Sequence, residues 1–121
     1  MFEERTIPIL GYNLETMFSE KLETIISRGT ANTRMRDFYD IYLLTMSRGS
    51  LINKDLMIKA LQKTANKRGT EYLLEDKDRI VTEITNSDAL SILWTRYQKT
   101  YKYAESVPWE DVLSAIKSSL T

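Results

Sequence analysis

Apolar residues recur at helical spacing along most of the chain. Leu14, Met17, Phe18, Leu22, Ile25 and Ile26 fall on one face of a helix from Leu14 to Arg28, with Asn13 in front as N-cap. A second helix is predicted from Arg34 to Arg48 behind Thr33. It is apolar almost all round, through Met35, Phe38, Tyr39, Ile41, Tyr42, Leu43, Leu44 and Met46, which predicts a central position with neighbours on more than one side. A third follows Asn53 as N-cap and carries Leu56, Ala60, Leu61 and Ala65, with Ile52 and Met57 at the positions of a hydrophobic staple. Between Gly69 and Asn86 the periodicity weakens, and Ile80, Val81 and Ile84 predict a short helix from about Asp76. Ser87 then caps a longer helix bearing Leu90, Leu93, Trp94, Tyr97 and Tyr101 on one face. The last helix places Pro108 at its first position and Glu110 and Asp111 in its first turn, and its face is Trp109, Val112, Leu113, Ile116 and Leu120.

Only the stretch Thr6-Ile7-Pro8-Ile9-Leu10 reads as extended, and Pro8 confines it to an edge strand. The predicted fold is therefore all-α, a compact helical bundle of about five to six helices with a short N-terminal extended arm. It is read as one helical domain over residues 1–121, made of an arm at 1–12, a helix pair at 13–48 and the remaining helices at 49–121. Gly29, Gly49 and Gly69 each follow a basic residue, in Ser27-Arg28-Gly29, Ser47-Arg48-Gly49 and Lys67-Arg68-Gly69. A cation in the last turn and a left-handed glycine just beyond it form a helix stop, so each phrase is expected to end a helix that way.

Composition narrows the chemistry. With no Cys and no His among 121 residues, the chain has no disulfide, thiolate nucleophile, imidazole base or ordinary structural zinc site. Lys plus Arg balances Asp plus Glu at 17 each, so attraction to nucleic acid or an anionic membrane must come from a local patch. Neither a Walker-type nor a dinucleotide-type glycine loop is present. No apolar run fits a membrane span or signal peptide, so the expected location is the cytoplasm.

Lys21 stands out because it falls between Leu14, Phe18 and Ile25, inside the apolar stripe. Two readings stand: an ammonium aimed at a phosphate or carboxylate, or a snorkelling side chain whose stem packs while its charge reaches water. Asp37 and Asp40 share a face of the second helix. So placed, they suit a shared Mg²⁺ or a general base, or else they complement the helix dipole while Arg36 pairs with Asp40 one turn on. In Trp94-Thr95-Arg96-Tyr97-Gln98-Lys99-Thr100-Tyr101-Lys102-Tyr103, basic and aromatic residues interleave. The helical phase puts Trp94, Tyr97 and Tyr101 on the core side and Arg96, Lys99 and Tyr103 opposite. The run is thus either a solvated face or an RNA contact through Arg96, Lys99 and Lys102.

The run from Leu14 to Leu44, L-E-T-M-F-S-E-K-L-E-T-I-I-S-R-G-T-A-N-T-R-M-R-D-F-Y-D-I-Y-L-L, resembles the AbiEii/AbiGii toxins, nucleotidyltransferase-fold proteins of type IV toxin–antitoxin and abortive-infection systems. The E-K-L and R-D-F-Y-D elements within Glu20–Asp40 carry the likeness, and the W-x-x-Y region and closing helix extend it. The resemblance implies that Lys21 is the phosphate-contacting lysine, that Asp37 is the aspartate of the R-D motif with Asp40 as its companion, and that Arg28 and Arg36 are phosphate neighbours. It implies Mg²⁺ and an NTP as cofactors of the intact enzyme, a cognate antitoxin as partner, and an RNA acceptor such as the 3′ end of tRNA. In that family a Gly-Ser element and Asp-x-Asp metal ligands precede this block. The expectation is that this chain is the carboxy-terminal helical half, holding no metal itself and inactive without the missing core on the same longer chain or a separate one. A non-catalytic helical module contacting an antitoxin or RNA is the alternative.

Overall fold

The computed structural model describes residues 14–120, with the side chains of all but positions 48 and 50. Among the described residues it is wholly helical: α1 (Leu14–Arg28), α2 (Met35–Arg48), α3 (Lys54–Arg68), α4 (Glu71–Glu75), α5 (Lys77–Thr85), α6 (Asp88–Thr100) and α7 (Trp109–Leu120). The all-α expectation is met, with the short α4 as an element the weak periodicity after Gly69 did not announce. The expected arm at Thr6–Leu10 and the Asn13 cap lie outside the described residues.

Packing follows the stripes. α1 lies along α3 with one side and against α2 with another, and α2 also meets α6 and α7, as its nearly all-round apolar surface requires. The core is built from Leu22, Ile25, Phe38, Ile41, Leu90, Trp94, Val112 and Ile116, all essentially without solvent contact. Trp94 spends its polar edge well, donating from Nε1 to the Val107 carbonyl at 2.9 Å. Phe38 meets Trp109 edge-on with centroids 5.3 Å apart, which locks α2 onto α7.

The ends are capped largely as the sequence indicates. Asn53 accepts from the Leu56 N–H at 3.1 Å, and Ser87 accepts from the Leu90 N–H at 3.2 Å. Two starts shift by one residue. Arg34, not Thr33, precedes α2 and makes no side-chain cap; the Asn32 side-chain oxygen instead takes the Arg34 N–H at 3.0 Å and turns the chain. Pro108 stands just before α7, and its carbonyl accepts the Asp111 and Val112 N–H groups.

The glycine expectation holds at two positions of three. Gly29 and Gly69 take φ of +53° and +74°, the left-handed stop, whereas Gly49 sits at φ −54° and ψ −39° because α2 runs on into a tight 3-10 turn at Gly49–Leu51. Leu56 leaves the core and is half exposed. α6 ends at Thr100, so Tyr101 is extended and largely exposed, and Tyr103 does not continue the polar face. It folds inward instead, its hydroxyl 2.5 Å from that of Tyr97 and its ring 4.8 Å from that of Tyr39.

Candidate active site

The site forms where α1 crosses α2. The apolar stripe of α1 must face α2 to bury Phe18, Leu22 and Ile25, and Lys21 is carried into that contact with it. On α2, Asp37 and Asp40 lie on the facing side, both buried, Asp40 completely. The Lys21 Nζ is 2.8 Å from Asp40 Oδ2 and 3.6 Å from Asp37 Oδ1. Two buried carboxylates one turn apart repel each other strongly in a poorly solvated contact, and the ammonium between them offsets that repulsion. The anomaly of the stripe and the paired acids of α2 thus have one structural cause.

The two readings of Lys21 resolve into something between them. Its stem packs, but its charge goes to the carboxylates rather than simply to water, while 29% of the side chain stays accessible. Asp37 is held from its other side as well. The Asn32 side-chain amide donates to Asp37 Oδ2 at 3.5 Å, and the Arg34 Nε stands 4.0 Å from the same oxygen. Asn32 is itself buried, tied at once to the Arg34 backbone and to Asp37, so the turn between α1 and α2 fixes where Asp37 points.

The expected Arg36–Asp40 pair does not form. Arg36 lies on the exposed side of α2 and makes no ion pair among the described residues, because Asp40 faces α1 instead. Arg28 is likewise exposed at the end of α1 and unpaired among the described residues. The arginine that approaches the site is Arg34, which the sequence reading passed over. Arg96 and Lys99 are exposed on α6 and Lys102 is exposed in the turn after it, whereas Trp94 is buried in the core.

A third buried carboxylate, in addition to Asp37 and Asp40, was not anticipated. Glu23 of α1 is buried toward α3, where Arg68 Nη1 reaches its Oε1 at 2.5 Å and the Thr70 hydroxyl donates to its Oε2 at 2.7 Å. The signal was the width of the α1 face: Ser19 and Glu23 lie one turn apart beside the main stripe.

No group of three or more His, Cys, Asp or Glu side chains suited to a metal ion occurs among the described residues. Asp37 and Asp40 are spent on Lys21, so the donors present do not fit a metal centre of their own. The accessible part of Lys21 is the cationic group that this cluster offers to a ligand.

The crossing is built from the E-K-L and R-D-F-Y-D elements, and the family match over this chain places it in the class of nucleotidyl transferase toxins of type IV toxin–antitoxin systems. The model of the AbiEii family, described as nucleotidyl transferase AbiEii toxin of type IV systems, matches residues 1–115, so this chain is a member of the AbiEii family. Comparison with curated proteins and with solved structures gives no match. Membership implies a cognate antitoxin and, in general terms, chemistry with an NTP and a metal ion. No helix among the described residues is long and apolar enough to cross a membrane.

Proposed function

We propose that this chain is the carboxy-terminal helical part of an AbiEii-type nucleotidyltransferase and contributes Lys21 and Asp37 to the transfer of a nucleotide onto RNA, with the 3′ end of tRNA as acceptor and growth arrest as the result. The observation that carries the reading is the placement of Lys21 Nζ against Asp40 and Asp37 at a partly accessible helix crossing. The Gly-Ser and Asp-x-Asp half of the site comes from a core outside residues 1–121, on the same longer polypeptide or a second one. When bound, the Mg²⁺ that this core would hold supplies charge stabilisation to the triphosphate.

The proposed division of labour within this chain has the ion-pair distances as its support. Asp40, the closer and fully buried partner, holds Lys21 in place. Lys21 presents its accessible edge to triphosphate oxygens, and charge developing there in the transition state meets a cation already in position. Asp37, restrained by Asn32 and Arg34, orients the acceptor hydroxyl or takes its proton. Arg28 and Arg36, both exposed, are proposed as phosphate neighbours.

The test is transfer of labelled nucleotide to RNA, with growth arrest scored in parallel, by the chain together with its core. Lys21→Ala is expected to lower transfer by about 10²–10³-fold, the scale of losing a charge-stabilising group, and Asp37→Ala by about 10²–10⁴-fold. Full transfer and toxicity in both folded variants would remove the proposal. A second reading, a binding module without catalytic part, draws on the exposure of Arg96, Lys99 and Lys102. It predicts RNA binding that their joint replacement by Ala abolishes and that does not depend on Lys21.

A further inference from the structure

The crossing with α2 uses one side of α1, and the neighbouring side faces α3. There the two helices border a groove of about 490 Å³ walled by Thr16 and Glu20 of α1 and by Lys63, Thr64, Lys67 and Arg68 of α3. Lys63 and Lys67 stand one turn apart, both exposed, and neither has an ion-pair partner among the described residues. Like charges at that spacing repel along a helix. Arg68 adds a third cation that does not wander, because Glu23 grips its guanidinium from inside while 43% of its side chain remains exposed. Against these stands Glu20, so the lining is net positive in a chain that is neutral as a whole.

The same lining says what kind of ligand fits. Ala60 is the one apolar side chain bordering the groove among the described residues, so it lacks the buried aromatic or aliphatic anchor that a protein partner needs. Mobile ammonium groups beside a fixed guanidinium and threonine hydroxyls suit phosphate oxygens. Glu20 and Lys21 are consecutive, about 100° apart around α1, so the groove and the candidate active site use different sides of the same turn of that helix.

We infer that the groove between α1 and α3 binds the phosphodiester backbone of an RNA strand, the strand whose end is delivered to Lys21 and Asp37. The inference rests on the proposed RNA acceptor and adds the surface that holds it. Contacts of this kind fix position without reading bases, so the binding is sequence-tolerant and falls steeply with salt.

The experiment measures affinity for a fluorescent single-stranded RNA over a range of salt, using the chain with its core, for wild type and for Lys63→Ala/Lys67→Ala. Both lysines are exposed on a helix that alanine favours, so the variant is expected to fold, and its thermal melt confirms this. Affinity at low salt should fall about tenfold, and the slope of log affinity against log salt should shrink by about 1.4, the share of two phosphate contacts on a single strand. In nucleotide transfer the variant should raise the KM for RNA and leave kcat near wild type. Unchanged affinity and slope overturn the inference, whatever the α6 cations do. A loss of NTP affinity with RNA affinity intact overturns it too, because the groove then serves the triphosphate. Transfer that does not depend on Lys21 sinks the functional reading instead, and the two failures are separate results.

Discussion

Removing the Lys21 ammonium would leave Asp40 and Asp37 facing each other with their main offsetting charge gone. Losing one partner of a buried ion pair typically costs about 3–5 kcal/mol, and Lys21→Met should fall at about 3 kcal/mol, the lower end, because the pair is partly reached by water. Lys21→Arg keeps the charge and should retain most of the stability; urea denaturation of the three proteins checks both. The outline of this cluster was legible in the sequence. Lys21 broke the apolar stripe, and Asp37 and Asp40 shared one helix face. That they break it for each other was not legible, since only the crossing of α1 and α2 decides which residues meet. The same limit explains Arg36 and Arg34. Spacing along α2 made Arg36 the natural mate of Asp40, but an i,i+4 pair needs a carboxylate turned to the surface, and Asp40 is turned inward. Glu23 escaped notice because its partners, Arg68 and Thr70, lie far along the chain.

Among the elements, helix starts and stops were readable where a side chain alone writes the signal. Asn53 and Ser87 cap as expected, since a cap is a local hydrogen bond. The repeated basic residue followed by glycine was a weaker guide, and the difference has measurable consequences. At Gly69 the left-handed backbone penalises any Cβ, so Gly69→Ala should destabilise by about 1 kcal/mol although space is open around it. At Gly49 the backbone is right-handed helical and nothing lies within 4 Å of an added Cβ. There Gly49→Ala should stabilise by about 0.4–1 kcal/mol by restricting the unfolded chain. Opposite signs in thermal melts of two look-alike sites confirm the assignment, and equal signs refute it. Tyr103 teaches the same lesson: helical phase put it on the polar face, but α6 stops at Thr100 and the aromatic contacts with Tyr39 and Tyr97 take over.

For the molecule as a whole, the stripes foretold an all-helical bundle with α2 in the middle, and the motif foretold its family. What the bundle adds is the way α1 is used on two sides, toward α2 by Lys21 and toward α3 by Glu20 and Glu23. Under the proposed function Lys21 and Asp37 act as one unit in nucleotide transfer. A double-mutant cycle tests this, with kcat for transfer of labelled nucleotide to RNA compared for wild type, Lys21→Ala, Asp37→Asn and both together, by the chain with its core. Groups that serve one transition state as a unit are strongly non-additive, so the double variant should be no slower than the slower single variant within about threefold. Losses that multiply, or a full rate in either folded single variant, would rule out a joint role for the two residues.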